Sequence, residues 1–393
     1  MPDLKAALLG PLDLPGREFT LGSAHVERKV KKDKNGQEKV FFKVTPSYSV
    51  SEPPCTKDRQ PNLGLLFQRY APRLVEDLLL ETRFAQPPDE RERRIEDIGN
   101  FSKQFHNTVG LEWTIQFANK VPTSSHLKEA RSLWRKTLRQ IYPSVSFVRA
   151  TLSKRAAIGL ANASPWENSG WAFHHVYGVP MIPGDSLKGL MRHYLEEELR
   201  DSKGEALLNG LGFSGGDAAK YLAALSLFVP GQFSAQDLAN LLFGKPGSDG
   251  AEGLLAVYDA WPEAPDGGGG WFALDVVTSH HRDYYTSGYG ENSKASDKDQ
   301  PNPVHFLTLR PGLIFHIALA PTAVAQRQAA LLHKNAEATG ETTEAAAKKP
   351  SDFIQAIVEV GKALCLKALA EWGVGAKTGT GYGRMHKVES PSK

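Results

Sequence analysis

Thiols are scarce in this chain: Cys55 and Cys365 are the only cysteines among 393 residues. Two distant thiols make neither a disulfide framework nor a four-ligand zinc site, so a reducing cytoplasm is the expected setting and no metal or cofactor is expected. Long apolar runs are missing too. None approaches the ~20 residues that span a bilayer. The opening segment, MPDLKAALLGPLDLPG, has an acid where a secretory leader needs a basic start. A soluble chain with no membrane partner is expected. A surplus of one charge sign is also lacking. Lys plus Arg number 47 and Asp plus Glu 44, a net charge of +3. That is too little to hold nucleic acid by bulk charge, so any basic face must arise from local clustering.

What is present is enough for a packed core: 41% of residues are apolar and 23% charged. The length suits one large domain with insertions, or two smaller ones. Residues 17–45 read as a β-hairpin turning at Lys34, Asn35 and Gly36, since Asn-Gly suits the positive φ angles of a type I′ turn. Its lysines, Lys29, Lys31, Lys32, Lys34 and Lys39, mark either a solvated tip or a finger that reaches RNA or a neighbour. Residues 63–82 read as a helix broken near Pro72, and 86–96 as a charged loop.

Ser125 to Ile141 has the clearest helical period. Leu127, Ala130, Trp134, Leu138 and Ile141 form an apolar stripe, and Lys128, Arg131, Arg135 and Arg139 a basic one. The basic stripe is either a solvated face or a contact for RNA or a partner. A second region, 145–393, follows an extension of residues 1–144. It reads as strands at 144–152, 253–261, 271–278 and 312–320, with helices at 186–200, 216–228, 234–243 and 352–371. The polar segment 334–351 lacks apolar periodicity and reads as a mobile insertion. The irregular alternation of strands and helices favours an α+β fold over a doubly wound sheet.

Three segments carry candidate chemistry. In VPMIPGDSLKGLMRHY, Pro183 and Gly184 turn the chain, and Asp185 or Ser186 can cap a new helix. Lys188 and Arg192 stand four apart near its start. A helix N-terminus with nearby cations is either a phosphate site or a capped helix with solvated charges. In WGVGAKTGTGYGRM, glycines at 373, 375, 379, 381 and 383 surround Lys377, Thr378, Tyr382 and Arg384. Cations, a hydroxyl, a stacking ring and close backbone approach suit a nucleic-acid backbone with one base plane. In DVVTSHHRDYY, His280, His281 and Arg282 lie in a polar, aromatic stretch suited to RNA or a protein neighbour. Adjacent histidines point apart on a strand, and no spaced ligand set accompanies His280, His281 and Asp283.

Two catalytic patterns fail on context. Ala376-Lys377-Thr378 lacks the glycine of a Walker A loop, Glu371 replaces its earlier glycine, and a helix rather than a strand precedes it. Gly212-Phe213-Ser214-Gly215-Gly216 matches a nucleophile elbow in spacing but follows a helical stretch. His174, His175 and Glu167 have no paired acid or base in view, so no catalytic residue is assigned.

Taken together, VPMIPGDSLKGLMRHY, LLFGKPGSDGAEGLLAVYDAWP and GVGAKTGTGYGRM resemble the RAMP superfamily over about residues 145–388. DVVTSHHRDYY and PNPVHFLTLRPG resemble the branch that supplies the sixth subunit of the type III-B CRISPR Cmr effector complex. NLGLLFQRY is compatible with that branch. The resemblance implies a ferredoxin-like βαββαβ core, similar to an RNA-recognition fold, with a protruding hairpin or thumb. It implies antiviral defence as part of a ribonucleoprotein, with guide RNA (crRNA) and target RNA as partners. The implied protein neighbours are the backbone subunit, the first subunit and the small subunit, with a position toward the guide's 3′ end. Target choice then follows from pairing to the guide, while protein grips backbone and shape. Target cutting in this family is attributed to an aspartate in a backbone-subunit loop; the comparable loop here offers Glu167. A non-catalytic, RNA-binding subunit is therefore expected, with Ser186, Lys188, Arg192, His280, His281, Arg282, Lys377, Thr378, Gly379, Tyr382 and Arg384 as RNA contacts. The rival expectation is a RAMP endoribonuclease, either processing guide RNA with His174 or His175 as acid or base or cutting target RNA as a backbone-type subunit. Asp185 departs from the family's common serine, and the region before residue 145 is longer than a minimal core needs.

Overall fold

The computed structural model describes residues 25–32, 38–45, 115, 119, 125–161, 170–229, 232–248, 250–265, 270–279, 302–338 and 343–388. By contacts the chain falls into two units. One comprises Met1–Ser124, Gly159–Val179 and Asp266–Thr308; the other comprises Ser125–Ile158, Pro180–Pro265 and Leu309–Lys393. The contact division thus falls after Ser124. The helix that the sequence grouped with the extension packs within the second unit.

In the first unit, strands β1 (His25–Lys32) and β2 (Glu38–Thr45) pair antiparallel from His25 opposite Thr45 to Lys32 opposite Glu38, as the hairpin reading expected. The turn residues Lys34, Asn35 and Gly36 lie outside the described residues, as do the segments 63–82 and 86–96. Strands β8 (Phe272–Ser279) and β9 (Asn302–Leu309) form a second pair. Trp171, Phe173 and Phe272 cluster with ring centroids 5.4 to 6.2 Å apart. Asn119 fastens the start of β8: its amide oxygen accepts the Phe272 N–H at 3.0 Å and its NH₂ donates to the Phe272 carbonyl at 2.9 Å.

The second unit holds the core. Its elements in chain order are α1 (Ser125–Ile141), β3 (Ser146–Leu152), α2 (Gly184–Glu197), α3 (Gly204–Gly210), α4 (Gly215–Ser226), α5 (Ala235–Phe243) and the short strands β4 (Gly244–Lys245) and β5 (Ala251–Glu252). They continue with β6 (Leu255–Val257), β7 (Trp261–Pro262), β10 (Ile314–Pro321), α6 (Ala323–Ala338), α7 (Thr343–Glu371) and β11 (Met385–Lys387). The main sheet runs β11-β3-β10-β6, with β7 also on β10, and every neighbouring pair is antiparallel. Counting the core strands in chain order, the sheet reads fourth, first, third, second, with α2 and α7 as the two crossovers. That is the expected ferredoxin-like βαββαβ order.

Alternation along β3 explains how the sheet is filled. Val148, Ala150 and Leu152 are buried on the α7 side, where Leu187, Met191 and Leu195 of α2 and Phe353, Ile357, Val360 and Leu364 of α7 complete the core. Gly361 lets α7 approach β6, because a Cβ there would lie 2.5 Å from Leu255. The opposite face carries Phe147 and Arg149, paired with Ala318 and His316 of β10. There α1 lies on the sheet: Trp134 stacks on Trp261 at 5.8 Å and meets Phe147 edge-on at 5.7 Å.

Three local expectations change. Ile141, expected on the buried stripe of α1, is 56% exposed. The run 253–261 is not one strand but two short ones, β6 and β7, because the chain between them turns to pair Ala260 with Ile182. The polar segment 334–351 is largely helical, ending α6 and beginning α7. Alanine, glutamate and lysine are strong helix formers, and a packed helix adds residues more easily than it nucleates.

Candidate nucleic-acid interface

The first motif begins α2, but its cap is not the expected one. Pro183 occupies the N-cap without a side-chain bond, and Asp185 and Ser186 fall inside the first turn, both exposed. The leading amide, Gly184 N–H, donates to the carboxylate of Asp259 at 2.7 Å. Glycine is required at this point, since a Cβ would lie 2.3 Å from the Val257 carbonyl oxygen. The helix end predicted as a phosphate site is thus already faced by an acid of this chain. The signal missed in the sequence was Asp259, in the bend between β6 and β7.

Arg192 is held within the protein. Its guanidinium donates to Glu196 Oε1 at 2.8 Å, to the Gly244 carbonyl at 2.8 Å and to Asn240 Oδ1 at 3.2 Å. It closes the carbonyl end of α5, where cations and donors are favoured. Lys188 is half-buried and Ser186 exposed. It is the other end of α2 that meets the second motif: His193 and Tyr194 pack on Trp372 at 5.1 and 5.5 Å, and Tyr194 Oη donates to Glu371 at 2.5 Å. Burial and the Glu371 carboxylate raise the Tyr194 phenol well above its usual value, so it remains a donor.

The basic stripe of α1 divides in the same way. Arg131 donates to the Pro262 carbonyl at 2.7 Å, and Arg135 donates to His316 Nδ1 at 3.0 Å while lying 4.6 Å from the Phe147 ring centre. With Nδ1 accepting, the imidazole proton sits on Nε2, 2.5 Å from Glu263 Oε1. Glu263 also receives both arms of Arg149, at 2.8 and 3.1 Å. Burial lowers the His316 pKa to about 4, outweighing the attraction of Glu263, so the ring is neutral near pH 7. Burial pushes Glu263 up, but its bonds to Arg149 and His316 outweigh this and hold it below its ordinary value. Lys128 and Arg139 remain exposed.

The glycine motif forms a tight loop between α7 and β11, pinned by backbone bonds. Ala376 N–H donates to the Ala157 carbonyl at 2.8 Å, Gly383 N–H to Arg155 at 2.7 Å and Val374 N–H to Gly383 at 3.0 Å. The Ser153 amide and hydroxyl both donate to the Arg384 carbonyl, at 2.9 and 3.0 Å. Most of the glycines serve this packing. A Cβ at 373, 375 or 383 would lie 2.5, 2.5 and 1.9 Å from a carbonyl oxygen of the chain itself. Gly379 differs: its φ is not positive, and a Cβ there meets nothing within 4 Å.

Lys377 stands at the tip with φ 61°, the one positive φ of a non-glycine residue among those described. It precedes a 3₁₀ turn, Thr378–Thr380, that closes by bonds from the Thr380 amide and hydroxyl to the Lys377 carbonyl at 3.0 and 2.8 Å. Lys377, Thr378 and Tyr382 are half-buried; Gly379 and Arg384 are exposed. Sequence reading missed the segment 153–157 as the bed of this loop. Its only signal was Ser153-Lys154-Arg155 directly after a strand.

His280, His281, Arg282 and Glu167 lie outside the described residues. His174 Nδ1 accepts the amides of Val176 and Tyr177 at 3.3 and 3.4 Å, within a turn closed by Gly178 N–H to the His174 carbonyl at 2.7 Å. Ser214 of the elbow-like pattern precedes α4 rather than following a strand. No group of three or more potential metal ligands occurs among the described residues, and no described helix is long and apolar enough to cross a membrane.

Comparison with known proteins adds to this geometry. Residues 167–386 match the RAMP superfamily. The CRISPR system Cmr subunit Cmr6 of Pyrococcus furiosus is 25% identical over 357 residues, covering 82% of this chain and 94% of that protein. Among solved structures, a chain of the type III-B Cmr-beta complex bound to cognate target RNA aligns over 84% of this chain and 95% of its own, with 15% identity and a TM-score of 0.45. Cmr6 from Pyrococcus furiosus aligns over 62% of this chain and 98% of its own, with 20% identity and a TM-score of 0.33.

Proposed function

Because this chain belongs to the RAMP superfamily, we propose that it is a non-catalytic, RNA-binding subunit of a type III-B CRISPR effector, gripping the guide RNA toward its 3′ end. The glycine loop is the principal RNA contact, through Lys377, Thr378, Gly379, Tyr382 and Arg384. Ser186 and Lys188, and the segment bearing His280, His281 and Arg282, add contacts. Target RNA is met through pairing to the guide. The part of the 1–144 extension before Ser125 serves neighbouring protein subunits, among them the backbone, first and small subunits. The likeness to Cmr6 along most of both chains supports this placement.

The observation that carries the reading is the backbone of Lys377. A left-handed conformation costs a residue with a Cβ roughly 1–2 kcal/mol, and glycine adopts it freely. Such departures gather at functional sites. Here a lysine stands where glycine would relieve strain, in a loop otherwise rich in glycine, which supports a functional role for its side chain. Gly379 completes the picture: nothing in the chain requires its missing side chain, which suits close approach of a ribose-phosphate backbone.

Lys377→Gly separates fold from function. The variant is expected to melt no earlier than the unaltered protein, yet to retain less guide RNA when copurified with its neighbouring gene products. Normal RNA retention by Lys377→Gly combined with Arg384→Ala would sink the proposal. The absence of catalysis has its own test: pure protein incubated with guide precursor or target RNA, with and without divalent metal, is expected to leave both intact. The hydrogen-bonded role of His174 Nδ1 in its own turn supports that expectation. Cleavage abolished by changing His174, His175 or Glu167 would replace it with the nuclease reading.

A further inference from the structure

We infer that Lys154 and Arg155 form a second bank of the same RNA-binding surface, contacting phosphates beside the glycine loop. The inference rests on RNA binding by that loop and names residues that the motif itself does not contain.

The two segments are far apart in sequence but share hydrogen bonds at both ends of residues 153–157. Ser153 holds the Arg384 carbonyl through its amide and its hydroxyl, and the Arg155 carbonyl accepts Gly383 N–H. Ala156 and Ala157 are buried and bridge to Leu309 and Ala376. Backbones joined in this way run about 5 Å apart. Lys154 and Arg155 therefore stand between two fixed points, next to the backbone that carries Lys377 and Arg384. Lys154 and Arg384 are exposed and Arg155 is half-buried.

Lys154 and Arg384, both exposed on neighbouring segments, present positive charge that attracts an anionic strand. Fixed attachment points also reduce the ordering needed when such a strand binds. Repeated phosphates along one backbone suit two parallel banks of cations better than an isolated anion does. The predicted ligand is therefore the phosphodiester backbone of single-stranded RNA, read without sequence preference.

The test uses the full chain and a labelled single-stranded oligouridine, with affinity followed from low to high salt. Lys154→Ala with Arg155→Ala should flatten the slope of log affinity against log salt by about 1.4, at about 0.7 per lost contact. The single change Lys154→Gln, at an exposed position, should flatten it by about 0.7 with an unchanged melting temperature. Lys128→Ala with Lys136→Ala, on the exposed side of α1, should leave it unaltered. If Lys377→Ala with Arg384→Ala weakens binding while both changes at 154 and 155 leave the slope intact, this inference is wrong and the loop reading stands. If neither pair matters, the loop reading fails with it. An equal loss from the α1 pair would also overturn the inference, because binding would then follow diffuse surface charge.

Discussion

The arginines of α1, β3 and α2 and the cations of the glycine loop carry the same charge but are held in different ways. Arg131, Arg135, Arg149 and Arg192 end on carbonyls, an imidazole and carboxylates of their own chain. On the loop it is the backbone that is tied down, through Gly383, Ala376 and Arg384, while the Arg384 side chain is exposed and Lys377 holds a left-handed backbone. A basic residue in a helical stripe often has an acceptor within reach across the next layer, and a guanidinium offers five donors to fill. The glycine loop meets its own neighbouring layer, residues 153–157, through backbone bonds instead. Basic stripes on packed helices are therefore poor evidence of RNA contact, and cations on a pinned glycine loop are better evidence.

The largest effect expected from testing this contrast lies in the loop's own frame. Gly383→Val places a Cβ 1.9 Å from the Val374 carbonyl oxygen at φ 71°. It should destabilise the protein by about 3 kcal/mol or more, measured by urea unfolding. A neutral result would mean that the loop is not pinned as described. Next comes Arg192→Ala, which should cost about 2 kcal/mol by taking the side-chain donor from the Gly244 carbonyl and leaving Asn240 Oδ1 with Gln236 alone. Its RNA affinity at a temperature where it is folded should barely change; a loss of binding with full stability would move Arg192 to the RNA-contacting group.

Acidification probes the inward set in another way. His316 is held neutral, with its pKa lowered to about 4 from an ordinary 6.5, so the unfolded chain binds the extra proton between those values. Glu263, held below its ordinary value, acts in the same direction at lower pH. Stability from this cluster is complete above about pH 6.5 and is lost as pH falls toward 4. Between pH 7 and pH 5 the loss should be about 2 kcal/mol, and His316→Gln should remove most of that dependence. An equally steep pH dependence in the variant would exclude His316 as the cause. The smallest stability effect is expected at Gly379→Ala, within about 0.5 kcal/mol, because the added methyl meets nothing. Its guide-RNA retention should nevertheless fall; unchanged retention would remove close approach as the reason for that glycine.

Much of the architecture was legible from local pattern. The three- and four-residue spacing of α1 gave its span, Ser125–Ile141, and Asn35-Gly36 marked the hairpin whose strands pair in register. Pro183-Gly184 announced α2, and the apolar run before residue 321 announced β10. Helix α6 was missed because its apolar residues are mainly alanines, whose spacing gives a weak signal. The α+β class and the order of motifs that resembles the RAMP superfamily followed from the same one-dimensional information.

The fate of individual side chains was not legible there. Nothing in the neighbourhood of Lys188 and Arg192 states that Asp259 takes the amide of Gly184 or that Gly244 takes the guanidinium of Arg192. Nothing near Trp372 states that residues 153–157 underlie the loop, or that four of its five glycines adopt positive φ while Gly379 does not. Periodicity is set by the geometry of a single backbone and is written into consecutive residues. Donor–acceptor pairing and close approach are set by which backbones the folded sheet brings within about 5 Å, and those lie tens to hundreds of residues apart in this chain.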